Sequence, residues 1–315
     1  MANPLIQTEN LTRTFGSTTA VDTINLTIDE GEVFGLLGPN GAGKTTIVRL
    51  LNGVLAPTSG RASLFGRDVA EHGAYVRART GVLTETPSVY ERLTARKNLH
   101  FFGRMYGIPE ADLTRKTDQI LTVFGLADRG DEPVGGFSKG MKQRLALART
   151  LIHDPPVIFL DEPTAGLDPE AARQVDGIIK ELASTEGRTI VLCSHNLHEA
   201  QQLSSRVAML NRGRILATGS IYDLSNHLWK AVPLEIEFLT PPPPGVVVTL
   251  RTLEGVTIVQ QEPTQLELRI SQKGMVPAVV ASVTKNGGQV IRVTSREYSL
   301  EEIYFAVQEQ GRNAG

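Results

Sequence analysis

The sequence predicts an α/β chain: a mostly parallel sheet covered by helices on both faces, with a helical insert, followed by a small α+β domain. Three observations predict this. The apolar runs at 33–37, 157–160 and 189–193 have the length of strands buried on both faces. Helical stretches alternate with them, as a parallel sheet requires. After residue 226 the texture changes to period-two strands at 234–238, 256–259, 266–270 and 289–293, interleaved with helices over 275–284 and 299–310.

Taken in order, residues 4–30 alternate polar and apolar positions and read as strands with one wet face. Between them lies the turn Arg13-Thr14-Phe15-Gly16-Ser17. An aromatic on a turn is ordinarily an edge plug, but Phe15 stands one short β-unit ahead of the next motif, which keeps a base-stacking role open. The strand 33–37 stops at Gly38. Gly38-Pro39-Asn40-Gly41-Ala42-Gly43-Lys44-Thr45 then matches the P-loop pattern without a mismatch, and Thr46 onward continues as a helix with Ile47, Leu50 and Leu51 on one face. The three glycines let the backbone turn its N–H groups toward one centre. The helix N-terminus adds partial positive charge there. Lys44 brings a full charge to the β- and γ-phosphates of a nucleotide, and the Thr45 hydroxyl is placed to ligate Mg²⁺. A plain glycine-rich turn would not need all eight positions in a strand–loop–helix setting.

After a turn at 57–60 come short strands at 61–65 and 81–83. Between about 87 and 150 the chain reads as a helical insert. Leu93, Leu99, Phe101, Phe102, Met105 and Tyr106 crowd one helical stretch; Ile120, Leu121, Phe124 and Leu126 crowd another, and most of these are expected in the core. The strand 157–160 ends in Asp161-Glu162, a helix follows over 170–184, and the strand 189–193 ends in Ser194-His195. A helix at 197–204 leads to a hairpin around 211–213. The expected domains are 1–226 and 227–315, with Pro241 to Pro244 as a stiff turn or spacer. No clustered His, Cys or acidic ligands mark the second domain, which reads as a docking or regulatory module.

Composition narrows the function. With 41% hydrophobic and 21% charged residues over 315 positions, the chain is an ordinary globular protein. A net charge of −2 and a pI near 6.3 supply no basic field, so nucleic acid is not an expected partner. The single cysteine, Cys193, sits in an apolar run and reads as a buried structural thiol. No signal pattern and no apolar run of the ~20 residues that span a bilayer is present. The expected location is cytoplasmic, and any membrane crossing falls to another chain.

Two groups complete a nucleotide hydrolase. Ligands in open α/β sheets bind at the carboxyl ends of the strands. There Asp161 can hold Mg²⁺, and Glu162 can orient or deprotonate the attacking water. Two acids ending a strand can also be a helix cap; following a P-loop, with Pro163 behind them, the catalytic reading is the stronger. A lone His is usually structural, but His195 ends a strand at the same edge, beside the expected γ-phosphate.

Phe137-Ser138-Lys139-Gly140-Met141-Lys142-Gln143-Arg144 opens a Leu- and Ala-rich helix, with Ser138 a good N-cap. Together with Glu162-Pro-Thr-Ala-Gly-Leu167-Asp168-Pro169 and Ser194-His195-Asn196, it resembles the ATP-binding-cassette (ABC) ATPases over roughly residues 4–226, every motif in order. The block from Thr80 to Gly107, the Lys-Gly-Met signature and the tail with Tyr298-Ser-Leu-Glu-Glu-Ile303 resemble the ABC-2 type exporter ATPases, including those tied to antibiotic resistance. The resemblance implies a P-loop ATPase core with a helical subdomain and a C-terminal accessory domain. It implies ATP and Mg²⁺ at Phe15, Gly38, Pro39, Asn40, Gly41, Ala42, Gly43, Lys44, Thr45, Thr46 and Asp161, with Phe15 on adenine and His195 sensing the γ-phosphate. Glu85 stands where the family usually has a glutamine; its charge near Mg²⁺ and phosphate implies either an alternative metal ligand or a weaker sensor. Ser138 and Gly140, with Lys139 and Met141 in place of the usual glycine and glutamine, would meet the γ-phosphate bound to a second protomer; Asp168 would link the two.

One P-loop face leaves the γ-phosphate open to water, and a second helix N-terminus headed by a partner's Ser138 would cover it. With one P-loop and one signature, the chain needs a second cassette, most simply a copy of itself in a two-fold ATP sandwich. The implied role is the ATPase subunit of a membrane exporter, peripheral on the cytoplasmic face and bound to ABC-2 type permease subunits. A soluble cassette of DNA repair or translation would carry long coiled-coil insertions or two cassettes. A non-hydrolysing module would not keep Lys44, Asp161, Glu162 and His195. A GTPase would carry an Asn-Lys-x-Asp segment, and none occurs.

Overall fold

A computed structural model describes residues 4–229 and 231–313. The chain parts into two compact units, 1–219 and 220–315. The expected boundary was 226/227. It lies earlier because the helix at 221–228 packs on the C-terminal helix of the second unit.

In chain order the first unit contains β1 (Ile6–Phe15), β2 (Thr18–Ile28), β3 (Val33–Leu37), α1 (Lys44–Leu51), β4 (Ser59–Leu64), β5 (Arg67–Asp68), α2 (Gly73–Arg77) and β6 (Thr80–Leu83). It continues with α3 (Ala95–Met105), α4 (Glu110–Val123), α5 (Lys139–Leu151), β7 (Val157–Asp161), α6 (Pro169–Ser184), β8 (Thr189–Ser194), α7 (Leu197–Leu203), β9 (Arg206–Asn211) and β10 (Arg214–Gly219). The main sheet runs β10-β9-β3-β8-β7-β6, parallel except for the β9–β10 hairpin. A smaller antiparallel sheet runs β2-β1-β4-β5. This is the α/β class expected from the sequence.

The all-apolar strands carry two faces by period-two alternation. Ile158, Leu160, Ile190 and Leu192 join one core with α5 and α6. Val157, Phe159, Val191 and Cys193 join the other, where α1 is covered by β1, β2 and β4. The helical insert is α3 to α5. Its aromatics divide: Leu99 is buried and Phe102 packs on the core, but Phe101, Met105 and Tyr106 are exposed, contrary to expectation. Residues 101 and 105 are one turn apart on the face of α3 that points away from Leu99 and Gly103.

The second unit holds α8 (Ile221–Leu228), β11 (Val232–Phe238), α9 (Pro244–Thr252), β12 (Val256–Glu262), β13 (Gln265–Ile270), α10 (Val276–Lys285), β14 (Val290–Ser295) and α11 (Leu300–Asn313). Its antiparallel sheet has the order β12-β13-β11-β14, so β11 to β14 form a ferredoxin-like βαββαβ unit. The core lies on one face, with Leu234, Ile236, Leu266 and Leu268 against Val246, Leu250, Val279 and Val283. Among the described residues no helix is long and apolar enough to cross a membrane.

Candidate functional site

Strand order builds the site. β8 lies between β3 and β7, with Leu37 level with Ser194 and Cys193 level with Asp161. The carboxyl ends of three parallel strands therefore bring the P-loop, Asp161-Glu162 and His195 to one edge.

The loop leaves β3, whose five residues are all buried, and α1 begins at Lys44. Its glycines are sterically required at two places. A Cβ on Gly38 would lie 2.5 Å from the Leu210 carbonyl oxygen; one on Gly43, at φ 109°, would lie 2.5 Å from the Ala20 carbonyl oxygen. The Gly213 N–H donates to the Ala42 carbonyl at 3.0 Å, so the β9–β10 turn backs the loop. An open cleft of about 410 Å³ faces it, lined by Phe15, Ala20, residues 39–46, Glu85, Asp161 and Glu162. Gly38 lies beneath, its carbonyl accepting from Lys44. Ala20 is the lining residue that sequence reasoning missed, and nothing in its identity marks it.

Lys44 is buried. Its Nζ donates to the Gly38 carbonyl at 2.6 Å and lies 3.4 Å from Glu162 Oε1. That approach is an ion pair without a hydrogen bond: Oε1 is buried and has no hydrogen-bond partner. The other carboxylate oxygen, Oε2, lies 2.8 Å from His195 Nδ1, and His195 is more than half exposed. Glu162 holds φ 52°, a left-handed conformation that costs a side-chain-bearing residue about 1–2 kcal/mol. Its N–H donates to the Cys193 carbonyl at 2.9 Å, which fixes this turn against β8. Cys193 itself is fully buried, and burial pushes its thiol pKa well up, so it is a packing residue.

Thr45 Oγ1 donates to Asp161 Oδ2 at 2.8 Å. Burial raises the Asp161 pKa; the Thr45 hydroxyl and Lys44 oppose this, while the Glu162 and Glu85 charges add to it. A buried carboxylate among like charges is a place where a cation is favoured.

Ser138, Lys139, Gly140, Met141 and Asp168 do not line the cleft; they form a second group. Ser138 caps α5, its Oγ accepting from the Met141 N–H at 3.2 Å. Met141 itself packs on the core. A Cβ on Gly140 would meet the Ala171 Cβ at 2.8 Å, so α5 passes close to α6 there. Asp168 caps α6 by accepting from the Glu170 and Ala171 N–H groups. Gln143, which the sequence reading quotes within the signature motif without a role of its own, donates from Nε2 to the Pro163 carbonyl at 2.6 Å and ties this group to the loop behind Glu162.

Comparison with known proteins decides the family. The ABC transporter pattern matches residues 21–165. The daunorubicin/doxorubicin resistance ATP-binding protein DrrA of Streptomyces peucetius is 35% identical over 304 residues, 96% of this chain and 92% of that protein. The chain belongs to the ABC transporter family. The bacitracin transport ATP-binding protein BcrA of Bacillus licheniformis is 34% identical over 304 residues, 96% of each chain. Among solved structures, cbiO1 of Clostridium perfringens, part of the ABC transporter complex cbiONQ, superposes with TM-score 0.65 at 27% identity, covering 71% of this chain and 95% of that one. As an ABC transporter ATPase subunit, the protein binds ATP and hydrolyses it, and the fold class expected from the sequence holds.

Proposed function

We propose that this ABC ATPase powers an ABC-2 type exporter, driving efflux of a drug, lipid or other hydrophobic substrate through separate membrane-spanning subunits. It acts on the cytoplasmic face as a dimer of itself, with Mg²⁺. The likeness to proteins named for drug resistance and bacitracin transport, running along almost the whole chain, supports the export class.

The observation that carries the hydrolytic reading is Glu162. A buried carboxylate lining the cleft and held between Lys44 and His195 is placed to act as the base for a water at the γ-phosphate edge. In this reading the loop N–H groups and Lys44 hold the β- and γ-phosphates, and Phe15 stacks on adenine. Glu162 orients and deprotonates the attacking water, and His195, 2.8 Å from the Glu162 carboxylate, contacts the γ-phosphate. The paired oxygens of Thr45 and Asp161 suit a hard cation, with Glu85 at the cleft edge as a further ligand. Bound there, Mg²⁺ would neutralise phosphate charge. Ser138, Lys139, Gly140 and Met141 of one protomer would close over the nucleotide of the other, with Asp168 at the joint. The exposed Phe101 and Met105 on α3 form the apolar surface we assign to the membrane subunit.

The test is Glu162→Gln. The substitution keeps size but removes the base, so hydrolysis falls at least ~10²-fold, the scale of losing a positioned base. ATP binding persists, because Lys44, Thr45 and Asp161 remain. The mutant shifts from monomer to dimer on size exclusion with Mg-ATP. Asp161→Asn differs by weakening ATP binding as well. Normal turnover in Glu162→Gln would move the base elsewhere, His195 being the next candidate.

A further inference from the structure

One buried carboxylate in the ATPase unit has no role in the scheme above. Glu199, in the first turn of α7, is 4% exposed. Its Oε1 accepts from the Thr164 hydroxyl at 2.6 Å and its Oε2 from the Ser194 hydroxyl at 2.7 Å. Thr164 is two residues beyond Glu162, in the loop that runs on to Asp168. Ser194 immediately precedes His195. One side chain thus ties the loop that follows Glu162 to the end of β8, next to His195.

The simpler account is a helix cap. Asn196-x-x-Glu199 fits the capping box, in which the Glu carboxylate reaches back to the N-cap N–H. That is not what the carboxylate does. Asn196 does cap the helix, accepting from the Glu199 N–H at 3.2 Å. The Asn196 N–H, however, is taken by Ser194 Oγ at 3.0 Å, and both Glu199 oxygens are spent on hydroxyls outside the helix. Burying a carboxylate is costly unless its oxygens are bonded, so the two hydroxyls and the carboxylate hold one another in place. The Glu162 N–H on the Cys193 carbonyl holds Glu162 itself to β8, and Gln143 ties Pro163 to α5; Glu199 adds a link from Thr164, farther along that loop, to Ser194, the last residue of β8 and the neighbour of His195.

We infer that Glu199 is a positioning residue for hydrolysis, bridging the loop that follows Glu162 to the end of β8 beside His195 through Thr164 and Ser194. The inference rests on the assignment of Glu162 and His195 as the hydrolytic pair. Glu199 does not line the cleft and both its oxygens are taken by hydroxyls, so its loss should loosen the 2.8 Å contact between Glu162 and His195 without disturbing the P-loop.

The experiment is steady-state ATPase kinetics on the full chain. Glu199→Ala should lower kcat by about 10²-fold, the scale of a 1 Å misplacement, while KM for ATP stays within about twofold. Thr164→Val and Ser194→Ala should each lower kcat by less, and Thr164→Val should cost nothing further in the Glu199→Ala background. Glu199→Gln, of equal length and still able to bond both hydroxyls, should recover most of the rate. Wild-type kcat in Glu199→Ala overturns the proposal. So do a loss confined to KM, a Gln variant as slow as Ala, or losses for Thr164→Val and Glu199→Ala that multiply as independent sites do. If Glu199→Ala does not fold, the Thr164→Val/Ser194→Ala pair decides: a double-mutant loss smaller than the product of the singles supports the bridge, and a full product overturns it. Glu162→Gln run alongside separates the two levels. If it too is active, the assignment of the hydrolytic pair has failed; if it is inactive while Glu199→Ala is normal, only the bridge has.

Discussion

Glu162 shows how much one residue takes from its surroundings. A left-handed backbone aims it, the β8 carbonyl at Cys193 holds that backbone, and Lys44 and His195 occupy its two sides. His153 shows the same dependence with another outcome. Its ring stacks on Tyr106 with centroids 3.7 Å apart, and its Nε2 lies 3.1 Å from the Thr80 carbonyl. Burial pushes its pKa down to about 4, although the Thr80 carbonyl favours the charged form. The unfolded value is about 6.5. Between the two, the unfolded chain binds a proton that the folded chain does not, so His153 weakens the fold as pH falls from about 6.5 toward about 4. Urea midpoints at pH 7 and pH 5 check this: the drop should be smaller in His153→Gln than in the wild type.

At the scale of elements, the strand–loop–helix around Lys44 is shaped by contacts it does not itself contain. Gly43 faces the Ala20 carbonyl from β2 at a φ that side chains rarely adopt. Gly43→Ala should therefore distort the loop and weaken ATP binding by about 10-fold or more, the equivalent of 1–3 kcal/mol of backbone strain. Titration with a fluorescent ATP analogue reads this, and unchanged affinity would show that the loop relaxes freely. The opposite lesson comes from α9. Val246-Val247-Val248 is a β-branched run of low helix propensity, and the sequence reading places no element between the proline run and the strand at 256. It is helical because a proline suits the first turn and because Val246 and Leu250, one turn apart, are both buried in the core of the second unit. Glu199 is a third case: its spacing from Asn196 reads as a cap, and tertiary contacts turn it to another use.

At the scale of the molecule, every residue of the candidate site lies in the first unit, which has its own cores, while the second has a separate one. A chain ending at Gly219 should fold and bind ATP within about twofold of the full protein, as expected for sites in separate units. Isothermal titration of the shortened chain is the measurement. Loss of ATP affinity in a folded product would show that the second unit contributes to the site. The cut belongs at 219 rather than 226, since ending inside α8 leaves part of a helix without α11 to pack on.

The sequence by itself determined the local chemistry of this protein. Glycine spacing, the lysine and threonine of the loop, the acids and the histidine at strand ends, and the cap at Ser138 are all properties of short windows, where the neighbours in the chain are the neighbours in space. The family followed from those windows standing in order. Tertiary structure decided which of them meet. Thr45 and Asp161 are 116 positions apart and bond only because β8 separates β3 from β7 and the three strands end level. The same packing left the signature group outside the cleft, put Phe101 and Met105 on the surface, and placed the carboxylate of Glu199 between the loop after Glu162 and the end of β8. Such choices depend on strand order and on which face of a helix finds a core. No short window carries that information, because the free energy of burial belongs to elements far apart in the chain.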